Sequence, residues 1–127
     1  GHGLPDAYFF SFYAMHCIVL RGDLMNVQMK KGIVEVCVLG AVADEPSYGY
    51  KIISDLSEII EISESTLYPI LKRLEAQDLL KTYNRQYNGR TRKYYEITKK
   101  GKKRIEEFLD EWQEIEMVIS FIKRRTR

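Results

Sequence analysis

The sequence predicts a mainly α-helical domain with one small β-hairpin and a long C-terminal helix, on three observations. Apolar residues recur at helical spacing in two neighbouring segments, Tyr50, Ile52, Ile53, Leu56 and Leu67, Ile70, Leu71, Leu74. An Asn88-Gly89 pair separates two runs of strand-forming residues and is a strong hairpin signal, because both central turn residues must take positive φ. After Thr98, apolar residues recur at alternating spacings of 3 and 4, the pattern of a helix that packs along a seam.

The first segment, Gln28 to Asp44, carries Ile33, Val34, Val36, Cys37, Val38, Leu39 and Val42. β-branched content favours a strand and length favours a helix. We read a helix, since a buried strand this long is unusual. Ser47, after Pro46, is placed to cap the next helix, and Ser63 the one after it. Pro69 is awkward inside a helix unless the cap lies at Ser65. Leu79 to Tyr87 and Thr91 to Ile97 form the two arms of the hairpin, with Arg85, Arg90, Arg92 and Lys93 around its tip. Thr98 caps the last helix, along which Ile105, Phe108, Trp112, Ile115, Ile119 and Ile122 form about two and a half heptads of a seam. In a chain this small, a second copy is the natural partner for it, and a homodimer is expected.

Length and composition bound the function. The 127 residues allow one core. The net charge of +2 matters less than its distribution. Glu61 to Arg104 holds twelve Lys or Arg against five Asp or Glu, whereas Ile105 to Ile122 holds six acids and no base. A segregated basic block is the footprint of a polyanion binder. Cys17 and Cys37 stand in separate apolar runs with no CxxC and no histidine at ligand spacing. They read as small core residues of a cytoplasmic, reducing compartment, with no metal and no cofactor. No apolar stretch reaches the roughly 18 residues of a membrane span, so no membrane partner is expected. No nucleophile–base pair or carboxylate pair stands out, and the only histidines, His2 and His16, precede the recognisable domain. The sequence does not read as that of an enzyme.

Three segments follow from this. Residues 1–24 read as a tag scar (Gly1-His2-Gly3) and a non-native or leader segment, with Met25 as a native start. Arg21-Gly22-Asp23 can be encoded by a purine-rich ribosome-binding sequence, and the competing reading is a genuine extra helix. Residues 25–97 read as a DNA-binding unit, and residues 98–127 as a dimerisation helix.

Helix, helix, helix, basic hairpin and long helix together make a winged helix-turn-helix. The third helix offers Ser65, Thr66, Tyr68, Lys72 and Arg73 on its polar-basic face, which suits a major groove. Arg90, Arg92 and Lys93 on the wing suit phosphates or a minor groove, and Lys30 and Lys31 at the start of the first helix suit phosphates. The alternative is a winged helix that binds protein and no specific DNA.

Here the sequence resembles the PadR family of bacterial regulators, over essentially all of residues 28–122. The matching stretches are Lys31-Gly32, Tyr48-Gly49-Tyr50-Lys51-Ile52-Ile53, Ser63-Glu64-Ser65-Thr66-Leu67-Tyr68-Pro69, Leu71-Lys72-Arg73-Leu74-Glu75, Gly89-Arg90-Thr91-Arg92-Lys93-Tyr94-Tyr95 and Ile97-Thr98-Lys99-Lys100-Gly101. The resemblance implies a dimer on a pseudo-palindromic operator in double-stranded DNA, usually a repressor released by a small molecule. It implies a helical first segment, makes Pro69 tolerable, adds Tyr48 to the DNA-binding set, and points to the smaller branch with a single terminal helix. In multidrug-sensing members of that branch a terminal-helix tryptophan stacks on planar aromatic ligands at the dimer centre, and Trp112 falls at the corresponding place.

Overall fold

A computed structural model describes residues 27–126. The leader segment 1–24, Met25 and Cys17 lie outside the described residues. The elements are α1 (Val27–Ala41), α2 (Gly49–Leu56), α3 (Glu64–Ala76), β1 (Leu80–Tyr87), β2 (Arg90–Ile97) and α4 (Lys99–Arg125). The expected architecture, a winged helix-turn-helix followed by one long helix, is what forms.

The first segment is helical. Its periodicity was ambiguous because α1 is buried on two sides. Val38, Leu39 and Val42 enter the main core, while Ile33 and Val36 face α4 across a cavity. A helix covered on two sides has no single apolar stripe. The core closes between α1, Ile52 of α2, Leu67, Leu71 and Leu74 of α3, and Leu80 at the root of the hairpin, all nearly inaccessible to solvent.

Two caps differ from expectation. Tyr48, not Ser47, precedes α2, and it makes no side-chain cap bond. Ser47 instead forms a one-residue bridge to β2: its N–H donates to the Tyr95 carbonyl at 3.0 Å and its carbonyl accepts from Tyr95 N–H at 2.7 Å. An isolated edge residue gains more from two ladder bonds than from one cap bond. Ser63 does precede α3, but its hydroxyl lies 3.0 Å from Ser65 Oγ and donates to Thr66 Oγ1 at 3.2 Å rather than capping a backbone N–H. Pro69 is accommodated inside α3, on its exposed side.

α3 ends where Asp78 turns left-handed, at φ 65°, and Leu79 N–H reaches back to the Leu74 carbonyl at 2.9 Å. The hairpin turn is as expected, with Asn88 at φ 50° and Gly89 at φ 76°. Thr98 caps α4, its Oγ1 accepting from Gly101 N–H at 3.0 Å. Gly101 is buried flush against the hairpin root, where any Cβ would run into the Leu79 carbonyl and come within 2.7 Å of Ile97 Cγ1. That close approach fixes where α4 leaves the domain. From there α4 runs about 40 Å at 1.5 Å per residue, and Leu109, Ile115, Met117, Val118, Phe121 and Ile122 remain more than 40% exposed. Among the described residues, no helix is long and apolar enough to cross a membrane.

Candidate nucleic-acid interface

The register of the hairpin sorts its side chains into two faces. Tyr83 stands opposite Tyr94, Arg85 opposite Arg92 and Tyr87 opposite Arg90 on one face, while Leu80, Ile97, Thr82 and Tyr95 share the face turned to the core. Like charges directly opposite in an antiparallel pair destabilise it. Among the described residues, no carboxylate lies within ion-pair distance of Arg85, Arg90 or Arg92. The tip is a concentration of positive charge that no carboxylate among the described residues neutralises.

Between this wing and α3 lies a cleft of about 670 Å³, lined by Tyr48, Gly49, Tyr50, Tyr68, Tyr87, Arg90, Arg92 and Lys93. The structure thus brings five expected site residues together, Tyr48, Tyr68, Arg90, Arg92 and Lys93, and Lys93 also reaches within 3.9 Å of the Glu75 carboxylate. Tyr68 owes its position to Gly49. Its ring lies across the bare Cα of α2's first residue, and a Cβ there would overlap the Tyr68 hydroxyl. Beside it, the Glu64 carboxylate raises the Tyr50 pKa.

Ser65, Thr66 and Lys72 are exposed on α3. Lys30 and Lys31 sit on the first turns of α1 and contribute nothing to the cleft. Arg73 is engaged elsewhere. Its Nε donates to Glu35 Oε1 of α1 at 2.7 Å, and Arg104 of α4 lies 3.8 Å from Glu35 Oε2. Sequence reading missed Tyr50, Tyr87 and Glu35. Tyr87 was recoverable, since a two-residue turn at 88–89 already sets it beside Arg90.

Arg92 is the most constrained member. Its guanidinium carbon sits 3.9 Å from the ring centre of Tyr48 and 4.0 Å from that of Tyr87. A hydrogen bond to Tyr94 and the nearby phenols push its pKa up further.

Residues 38–107 match the Transcriptional regulator PadR-like family. The chain belongs to that family. It is 33% identical over 81 residues, 63% of its own length and 76% of the relative's, to transcriptional regulator Rv3488 of Mycobacterium tuberculosis. Its fold is similar to that of a PadR-like transcription factor from Bacteroides fragilis, at 37% identity and TM-score 0.68, covering 75% of this chain and 94% of the other. A more distant neighbour is Bacillus subtilis PadR in complex with operator DNA, at 23% identity and TM-score 0.56, covering 60% and 46%, which shares the fold. The PadR-like family is one of transcriptional regulators, not of enzymes.

This PadR-like chain has a second recess of about 390 Å³ between α1 and α4, lined by Met29, Gly32, Ile33, Val36, Arg104, Glu107, Phe108, Glu111, Trp112 and Ile115. The Phe108 and Trp112 rings stack at 6.3 Å and 17°. Trp112 Nε1 is buried with no hydrogen-bond partner among the described residues. Of the expected seam, Ile105 packs on the core, Phe108 and Trp112 line this recess, Ile119 is half-buried, and Ile115 and Ile122 are exposed. Among the described residues, no group of histidines, cysteines and carboxylates has the makings of a metal site.

Proposed function

We propose that this chain is a sequence-specific DNA-binding regulator of transcription, acting as a cytoplasmic homodimer on a pseudo-palindromic operator, in the manner of a repressor. The observation that carries the reading is the arginine face of the wing, which meets no carboxylate among the described residues and is set across a cleft from Tyr68 of α3. In this arrangement α3 enters the major groove, where Tyr68 and Lys72 meet base edges, with Ser65 and Thr66 at its leading turn. Arg90, Arg92 and Lys93 take phosphates flanking the groove, and Lys30 and Lys31 add contacts outside it. The exposed apolar residues of α4 supply the dimer contact, because a helix surface of this kind is buried in a stable assembly.

The recess beside Trp112 is the proposed effector site. Its stacked rings, with Glu107 and Glu111 at the lining, match the chemistry of a planar aromatic cation. Quenching of Trp112 fluorescence by such a cation is the direct check.

Selection of bound sequences from a random duplex pool tests the main reading, because it reports binding and half-site spacing together. Two half-sites about one helical turn apart are expected. Affinity for the selected duplex should fall with salt by about 0.9 log unit per neutralised phosphate for each log unit of salt. No enrichment, together with a flat salt response, would replace this reading with a protein-binding winged helix.

A further inference from the structure

Arg92 differs from its neighbours Arg85 and Arg90 in how it is held. Two phenol rings flank its guanidinium at contact distance, 3.9 Å to Tyr48 and 4.0 Å to Tyr87. Arg85 has a single, longer approach of 5.4 Å to Tyr94. The rings are themselves braced: Tyr48 meets Tyr94 edge-on at 5.5 Å and 69°, and Tyr94 stacks on Tyr83 at 5.5 Å and 7°. Tyr48 is also fixed through its backbone, because the preceding Ser47 is bonded in both directions to Tyr95 of the strand that carries Arg92. Tyr48 makes no side-chain cap bond to α2.

We propose that Tyr48 and Tyr87 are positioning residues that hold Arg92 as a preformed clamp for a nucleic-acid phosphate, so that Tyr48 acts through Arg92 rather than by touching the duplex. This rests on the DNA-binding reading above and adds a role within it. A free arginine must give up its side-chain freedom when it meets a phosphate. One already flanked by rings has given it up on folding, and its planar fork of N–H donors keeps a fixed orientation. The rings contact the flat cation, and with one N–H turned to Tyr94 the others are left to bond in the guanidinium plane, where a phosphate oxygen is bound. The same contacts join the segment before α2 to the wing, so the clamp keeps its spacing from Tyr68 across the cleft.

The experiment compares wild type, Tyr48→Phe, Tyr48→Leu, Arg92→Ala and the Tyr48→Leu/Arg92→Ala pair, each titrated with a random-sequence duplex over a range of salt. Tyr48→Phe keeps the ring and should bind like wild type. Tyr48→Leu should bind about fivefold more weakly, the size of a cation–π contact at a partly exposed site. Arg92→Ala should lose affinity and lower the salt slope by about 0.9. In the Arg92→Ala background, Tyr48→Leu should add less than about twofold. The Arg92 Nε–H resonance should move in Tyr48→Leu as ring-current shielding disappears, with the β1 and β2 amides unchanged.

The clamp is overturned if the full Tyr48→Leu loss persists without Arg92, or if Tyr48→Leu binds like wild type. Wild type that ignores every duplex would remove the DNA reading itself, a result distinct from wild-type binding with silent variants. Should Tyr48→Leu unfold, Tyr87→Leu asks the same question at a ring that is half exposed, and full wild-type affinity there overturns the clamp.

Discussion

Removing the Glu35 carboxylate is the sharpest structural perturbation available. Among the described residues Glu35 is the one charged residue in the buried set, with 10% of its side chain exposed, and it ties α1 to α3 through Arg73 and to α4 through Arg104. Breaking a fully buried pair by removing one partner costs about 3–5 kcal/mol, whereas an exposed pair is worth about 0–1. Arg73 is 31% and Arg104 42% exposed, so water rescues part of what each arginine loses. The charge-assisted bond at 2.7 Å should contribute about 2 kcal/mol, and the contact at 3.8 Å a few tenths. Glu35→Ala should therefore lower stability by about 2 kcal/mol, which is a fall in Tm of roughly 5–10 °C for a domain of this size. Glu35→Gln keeps an acceptor for Arg73 and should lose about half of that. Thermal melts followed by far-UV circular dichroism supply the numbers, and a double-mutant cycle with Arg73→Met isolates the pair. A coupling below about 0.5 kcal/mol would refute the idea that this bond holds the helices together. The same pairing has a functional corollary. Arg73→Met should leave the salt slope for duplex binding unchanged, while Lys72→Met should lower it if that lysine meets a phosphate.

Gly49→Ala should displace Tyr68, because the new methyl would overlap its hydroxyl; affinity for the selected operator should fall more than affinity for random duplex, as competition binding would show. Ile115→Lys with Ile119→Lys places charge on the exposed seam of α4 and should yield monomers by sedimentation; unchanged dimers would remove the seam from the assembly. Burial raises the Tyr95 pKa, so as pH climbs the unfolded chain loses its phenol proton first. That contribution to stability is complete below about pH 10 and is lost as pH rises through the higher folded value. Urea midpoints should drop above about pH 10, and Tyr95→Phe should flatten the drop.

The fold was legible wherever a local rule was sufficient. Asn88-Gly89 fixed the turn and, through it, the register of sixteen strand residues, because only one pairing closes on two residues of positive φ. Thr98 was legible as a cap because its hydroxyl can accept from the Gly101 N–H while still donating to the Asp78 carbonyl at 2.7 Å, so the tertiary contact does not compete with the local one. Ser47 was misread for the opposite reason. Its backbone is claimed by Tyr95, 48 residues further on, and no local pattern carries that information. The first segment could not be decided by periodicity since α1 is covered on two sides, and only its length and the family resemblance pointed to helix.

The candidate site divides along the same line. Arg90, Arg92 and Tyr68 are found by asking which side chains a wing and a recognition helix present, and the cleft does gather them. The role of Arg73 could not be read in that way. It stands next to Lys72, with the same charge and on the same helix, and sequence reading treats the two alike. Yet one turns to solvent and the other meets a carboxylate 38 residues earlier in the chain. A hundred-degree step around a helix separates adjacent residues, so one basic residue can meet a groove while its neighbour meets the body of the protein. Charge composition locates a basic surface, but which cations are free depends on tertiary partners such as Glu35. That distinction decides which lysines and arginines contribute to a salt slope.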